Sequence, residues 1–208
     1  MLTIAEKIVL DASEKDDFAA IRDYSYAIRI DKKLPQAFME RGIRYRKSGW
    51  YRLAIIDLST AIQKRNKLYY PRCFLERGKI YLRLKKYKEA NSDFSKLCKI
   101  SPHQISEEGN QKAILYREIT NIFLKKPCIN VKDIDLIDGK FCISEIYLAN
   151  ERRYLIGLKH SLKKNYDIAI NYFNLIILED PEFFKRNIDY YDLLPLEMKL
   201  ILKTQFNI

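Results

Sequence analysis

Phe38-Met-Glu-Arg-Gly42-Ile-Arg-Tyr45 returns 36 residues later as Phe74-Leu-Glu-Arg-Gly78-Lys-Ile-Tyr81. Behind the first copy runs Trp50-Tyr-Arg-Leu-Ala54-Ile-Ile-Asp57-Leu-Ser59-Thr-Ala61, and behind the second Lys86-Tyr-Lys-Glu-Ala90-Asn-Ser-Asp93-Phe-Ser95-Lys-Leu97. The N-terminus supplies another version of that second half, Ala20-Ile-Arg-Asp23-Tyr-Ser25-Tyr-Ala27. Near the C-terminus, Gly157, His160, Tyr166, Ala169, Phe173, Ile176 and Pro181 keep the same spacing. A period of about 34 residues marks a supersecondary unit that buries its apolar face by stacking on copies of itself. Within each half the apolar residues recur every three or four positions, the period of an amphipathic helix. Gly42 and Gly78 let two helices approach where a Cβ would collide, with Ala20, Ala54, Ala90 and Ala169 on the opposing helix. Pro102 and Pro181 end second helices, because proline cannot continue one.

These residues resemble the tetratricopeptide repeat, W-x2-L-G-x2-Y, then A-x3-F, then P. The resemblance implies an all-α fold, a right-handed α-solenoid of antiparallel helix pairs, with four to five repeats and a C-terminal capping helix in one domain spanning 1–208. The repeats fall at about 1–34, 35–68, 71–104 and 150–183, and a degenerate pair fills 105–149. Gly78 to Gly157 is 79 residues, two periods and a surplus assigned to the loop 126–132. The first repeat has Ile8 where the others have glycine and reads as a cap. Leu193, Leu194, Leu196, Leu200 and Ile201 in the tail, 184–208, read as one helix closing the open end, since a terminal repeat must hide its apolar face.

Composition excludes several classes. At 48% hydrophobic and 31% charged, the chain is not disordered. Only six glycines and six prolines argue against collagen, flexible linkers and proline-rich stalks. No apolar run reaches the roughly 18 residues of a membrane span. An acid at Glu6 and the lack of a basic leader read as no secretory signal, which points to an intracellular protein, in the cytoplasm or else in an organelle. Cys73, Cys98, Cys128 and Cys142 contain no C-x-x-C and read as small buried hydrophobes. Neither His103 nor His160 belongs to a catalytic arrangement legible from spacing, no glycine-rich phosphate loop is present, and no cofactor is expected. Asp133-Ile-Asp135-Leu-Ile-Asp138-Gly139 is one residue out of register for a calcium loop, with Ile137 at a ligand position, and reads instead as an acidic helix start. The sequence therefore points to a protein without enzymatic or metal chemistry.

Charge is more informative. The chain carries 38 Lys and Arg against 27 Asp and Glu. Arg41 to Lys88 holds 15 basic residues and two acids, Asp57 and Glu76, so repeats two and three contain the whole excess. In tetratricopeptide proteins the first helices line a concave groove. The resemblance places Met39, Ile43, Arg46 and Lys47 there from repeat two, and Arg72, Leu75, Lys79, Leu82 and Arg83 from repeat three. Tyr154, Leu158 and Leu162 would follow from repeat four. A groove mixing apolar anchors with cations suits an acidic protein segment. The expected function is an interaction scaffold or adaptor, with Ile43, Arg46, Lys47, Arg72, Leu75, Lys79, Leu82 and Arg83 as its partner-binding groove. The alternative is an RNA-contacting subunit of a ribonucleoprotein such as an organellar ribosome, with Tyr45, Trp50, Tyr51, Tyr69, Tyr70, Tyr81 and Tyr87 interleaved among the cations. The family's clamp for a chaperone C-terminal carboxylate would fall on Ala5, Val9, Glu40, Arg72 and Glu76. Of these only Arg72 suits it, so that partner is not expected.

Overall fold

The computed structural model describes residues 2–64, 70–100, 107–125 and 145–206. Among them there is no strand, and the contacts divide the chain into two compact units, Met1–Arg117 and Glu118–Ile208.

The first unit opens with α1 (Ile4–Ala12), started by a capping box: the Glu6 amide donates to Thr3 Oγ1 and the Thr3 amide to Glu6 Oε2. Asp16 caps α2 (Asp17–Ile30), accepting from the amides of Phe18 and Ala19. Pro35 begins α3 (Pro35–Lys47), where a missing amide hydrogen costs nothing. Then come α4 (Tyr51–Gln63), α5 (Tyr70–Arg83) and α6 (Tyr87–Cys98). Each helix packs on its neighbour in sequence, and α3 also touches both α1 and α5. The first helices of the three pairs thus lie side by side in one layer.

Small residues set the spacing inside each pair. A Cβ built on Gly78 would stand 2.6 Å from Phe94 Cε1, and one on Gly157 would stand 2.5 Å from Phe173 Cε1. At Gly42 the facing residue is Leu58, whose Cγ would be 3.0 Å away. The glycine is therefore required most strictly where its partner is phenylalanine.

In three of the pairs the turn joining the two helices is the same object. Gly49, Lys85 and Lys164 all have positive φ, 78°, 58° and 62°. In each turn the amide one residue later returns to the carbonyl five positions back: Trp50 to Tyr45, Lys86 to Tyr81 and Asn165 to His160. Lys125, φ 53°, ends α7 (Glu107–Phe123) in the same conformation. Counting seven residues back, where the other turns have Gly42, Gly78 and Gly157, gives Glu118. Thus α7 shares the register of the first helices, with a buried glutamate, Glu118, at the glycine position. The expected loop 126–132 and the acidic stretch 133–139 lie outside the described residues.

In the second unit α8 (Glu145–Leu162) pairs with α9 (Tyr166–Glu179). The tail differs from the single helix expected. It forms three pieces, α10 (Phe183–Arg186), α11 (Ile188–Leu193) and α12 (Leu196–Phe206). Asn187, with φ −113° and ψ 53°, breaks the first from the second, and extended Leu194 followed by Pro195 breaks the second from the third. The breaks let Phe183, Phe184, Tyr190, Leu194, Met198 and Leu202 all turn inward.

Candidate interaction face

The repeated Glu-Arg-Gly places two charged residues per repeat on opposite sides of the first helix. The arginines point into the seam between repeats. Arg41 donates from Nε and Nη2 to both oxygens of Asp57, at 2.7 and 2.9 Å, and from Nη1 to Ser25 of the preceding pair. Arg77 does the same to Asp93, at 2.8 and 2.7 Å, and to Ser59. Asp57 and Asp93 are nearly inaccessible, and a buried pair is tolerated only when its geometry is this complete. The hydrogen bond from Arg41 to Asp57 raises the Arg41 pKa. For Arg77 burial is the largest influence and pulls the pKa down, but the hydrogen bond to Asp93 and the charge of that carboxylate together raise it. Rings sandwich both cations, Phe38 and Tyr45 around Arg41, Phe74 and Tyr81 around Arg77. Asp23, the matching aspartate of repeat one, is held by Lys15 instead, and that hydrogen bond lowers its pKa. The Arg–Asp–Ser set was present in the repeated letters of the sequence, yet only the coordinates reveal that it spans two repeats.

The glutamates take the other side and pair across α3 and α5. Arg72 donates to Glu40 at 2.8 Å, and Arg46 lies 2.8 Å from Glu76, with Lys79 3.6 Å from the same carboxylate. Lys79 also sits over the Tyr116 ring and Arg83 over Tyr51. The expected groove residues thus divide. Lys47, Arg72 and Arg83 are exposed, while Arg46, Leu75 and Lys79 are half-buried. Ile43 and Leu82 are 6% and 2% exposed and pack inside, as does Met39. These apolar positions correct the groove expected from sequence: they are buried, Ile43 and Met39 in one core cluster with Leu58, Cys73 and Ile80. Tyr154 and Leu158 are buried too, and the tail aromatics Phe184 and Tyr190 pack on Tyr154. Tyr154 stacks on Tyr190 at 4.8 Å and donates its hydroxyl to the Tyr190 carbonyl. Leu162 is exposed.

The clamp positions show Ala5 and Val9 buried and Arg72 bonded to Glu40. Of the aromatics interleaved with the cations, Tyr45, Tyr51, Tyr70, Tyr81 and Tyr87 are half-buried, Trp50 is exposed and Tyr69 lies outside the described residues. Cys73 is buried, and burial drives its thiol pKa up to about 12; Cys98 is half-buried. His160 lies parallel to Tyr172 between α8 and α9. His103, Cys128 and Cys142 lie outside the described residues. No described helix is long and apolar enough to cross a membrane.

The repeated turns, the glycine–phenylalanine contact and the paired helices converge on one pattern, and the tetratricopeptide repeat family model matches residues 71–104. Residues 71–104 are a tetratricopeptide repeat. Two solved structures share the fold of the chain. MamA superposes with a TM-score of 0.60 at 14% identity, covering 89% of this chain and 99% of MamA. A tetratricopeptide repeat protein from Parabacteroides merdae gives 0.61 at 19% identity, covering 91% of this chain and 72% of that one. No curated protein matches the sequence at a significant level. Tetratricopeptide repeats supply protein-interaction scaffolds, and the chain has that architecture.

Proposed function

We propose that the protein is a non-enzymatic, intracellular scaffold that takes an acidic protein segment on the face formed by α3 and α5. One observation carries the reading. Among the described residues of this face the five cations Arg46, Lys47, Arg72, Lys79 and Arg83 outnumber the two carboxylates, Glu40 and Glu76. Lys79 and Arg83 also rest on aromatic rings, contacts worth about 0.5–1 kcal/mol at exposed sites, which a partner carboxylate can outbid. Half-buried Leu75 gives the segment an apolar contact. Ile43 and Leu82 support the face from beneath rather than touching the partner. An acidic segment must also avoid Glu40 and Glu76, so its carboxylates need to be spaced rather than continuous.

The test is affinity capture of the tagged chain from its own cells, with and without nuclease, followed by mass spectrometry. The expected result is a partner that survives nuclease, carries an acidic segment and is lost with Lys47→Glu plus Lys79→Gln while helicity is unchanged. Undiminished capture by that double variant refutes the face. Partners that disappear with nuclease favour the ribonucleoprotein reading.

A further inference from the structure

The basic block of repeats two and three does not all reach the α3–α5 face. Lys47, the last residue of α3, stands at the border of that face; beyond it Arg52 lies in the first turn of α4, Lys85 and Lys86 form the next turn, and Lys88 lies in the first turn of α6. All five are exposed, and no ion pair engages them among the described residues. The inner cations, by contrast, are matched: Arg41 with Asp57, Arg44 with Asp17, Arg46 with Glu76, Arg72 with Glu40 and Arg77 with Asp93.

The three helix-pair turns of the first unit lie side by side. The Phe18 ring, at the start of α2, meets Trp50 edge-on at 6.0 Å, and the Arg83 guanidinium, at the end of α5, lies 5.9 Å over Tyr51. Large apolar groups are exposed along this same edge: Phe18 at 69%, Trp50 at 44%, Leu53 at 45% and Leu84 at 39%. Glu89 is the exposed acid of the second and third turns, while Glu14 and Asp16 flank the first.

Unpaired cations alone would suit any polyanion. The leucines decide between polyanions, because an aliphatic side chain gives a nucleic acid neither stacking nor hydrogen bonding, whereas it partitions into the acyl boundary of a bilayer. Indole and phenyl rings prefer that interface, and lysines extend their ammonium groups to headgroup phosphates. We infer that the edge built from the α3–α4 and α5–α6 turns docks peripherally on an anionic lipid surface, leaving the α3–α5 face open to its partner. This inference shares only Lys47 with the acidic-segment reading and does not rest on it.

Trp50 is the single tryptophan of the chain, so its fluorescence reports this edge alone. The full chain is mixed with vesicles of phosphatidylcholine, and with vesicles in which about 30 mol% is replaced by phosphatidylserine to supply surface charge. The expected result is co-sedimentation and a blue shift of Trp50 emission with the anionic vesicles only, both lost in high salt. Lys85→Glu with Lys86→Glu, two exposed changes that leave the helix signal intact, weakens binding at least about 30-fold, from roughly 1 kcal/mol per lysine at the membrane. Three results overturn the inference: equal binding to neutral vesicles, undiminished binding by the double variant, or no binding. A Trp50 response to poly(U) RNA at equal or lower protein concentration than to vesicles also overturns it and makes the edge a nucleic-acid surface.

Discussion

Replacing Gly78 by alanine should be costly for a reason that its counterpart in repeat two does not share. The new methyl would stand 2.6 Å from Phe94 Cε1 and 2.8 Å from Cζ, far inside van der Waals contact. The Phe94 ring cannot swing away, since it is fully buried and stacked at 5.1 Å on Tyr116. Overpacking costs typically about 1–3 kcal/mol, and this contact belongs at the upper end. Alanine in a helix recovers about 0.8–1 kcal/mol relative to glycine. The net expectation for Gly78→Ala is a loss of about 2 kcal/mol. At Gly42 the nearest atom is Leu58 Cγ at 3.0 Å, so the two effects nearly cancel, leaving about 0–1 kcal/mol. Phe94→Leu makes repeat three resemble repeat two, and Gly78→Ala in that background should cost about 1 kcal/mol less than in the parent, a coupling that a double-mutant cycle measures. Urea unfolding followed by circular dichroism gives all four stabilities. Equal losses at Gly42 and Gly78, or no coupling with Phe94, would refute the contact as the reason for the glycine.

Arg77→Ala strands the Asp93 carboxylate in the seam and should cost about 3–5 kcal/mol, most of it recovered by adding Asp93→Leu; an unrecovered loss would mean the pair is not the cause. Lys85 has φ 58°, so Lys85→Gly should add up to about 1 kcal/mol of stability, read as a higher urea midpoint, whereas Gly49→Ala at φ 78° should lower it. Burial holds the Cys73 thiol near a pKa of about 12 against an ordinary 9.0. Below pH 9 it is protonated in both states. Above that the unfolded thiol ionises first, so stability falls as pH rises from 9 toward 12, and Cys73→Ala should flatten that slope in urea titrations. Tyr154→Phe removes a buried 2.8 Å hydrogen bond to the Tyr190 carbonyl and should cost about 1 kcal/mol, read as a lower midpoint for the second unit.

The sequence by itself determined the helix-pair repeat, because its determinants are local: a glycine, an alanine and aromatics at fixed offsets dictate how two adjacent helices meet. It also located the charge, since counting needs no coordinates. The tertiary structure decided what those charges and apolar residues are for. Ile43 and Leu82 occupy groove positions in the pattern, yet burial depends on how closely α3, α5 and their neighbours approach, which no single helix encodes. Arg41 and Arg77 count as surplus cations in the sequence but are consumed by Asp57 and Asp93, because a residue's partner across a seam is fixed by helix register. The register of α7 was not legible from the letters, since Glu118 replaces the diagnostic glycine; the turn at Lys125 shows it because backbone geometry persists where the side chain has changed. The tail broke into three helices for a similar reason. Its apolar residues must cover one face of α8, and a single straight helix cannot turn Phe183, Tyr190 and Met198 toward the same core.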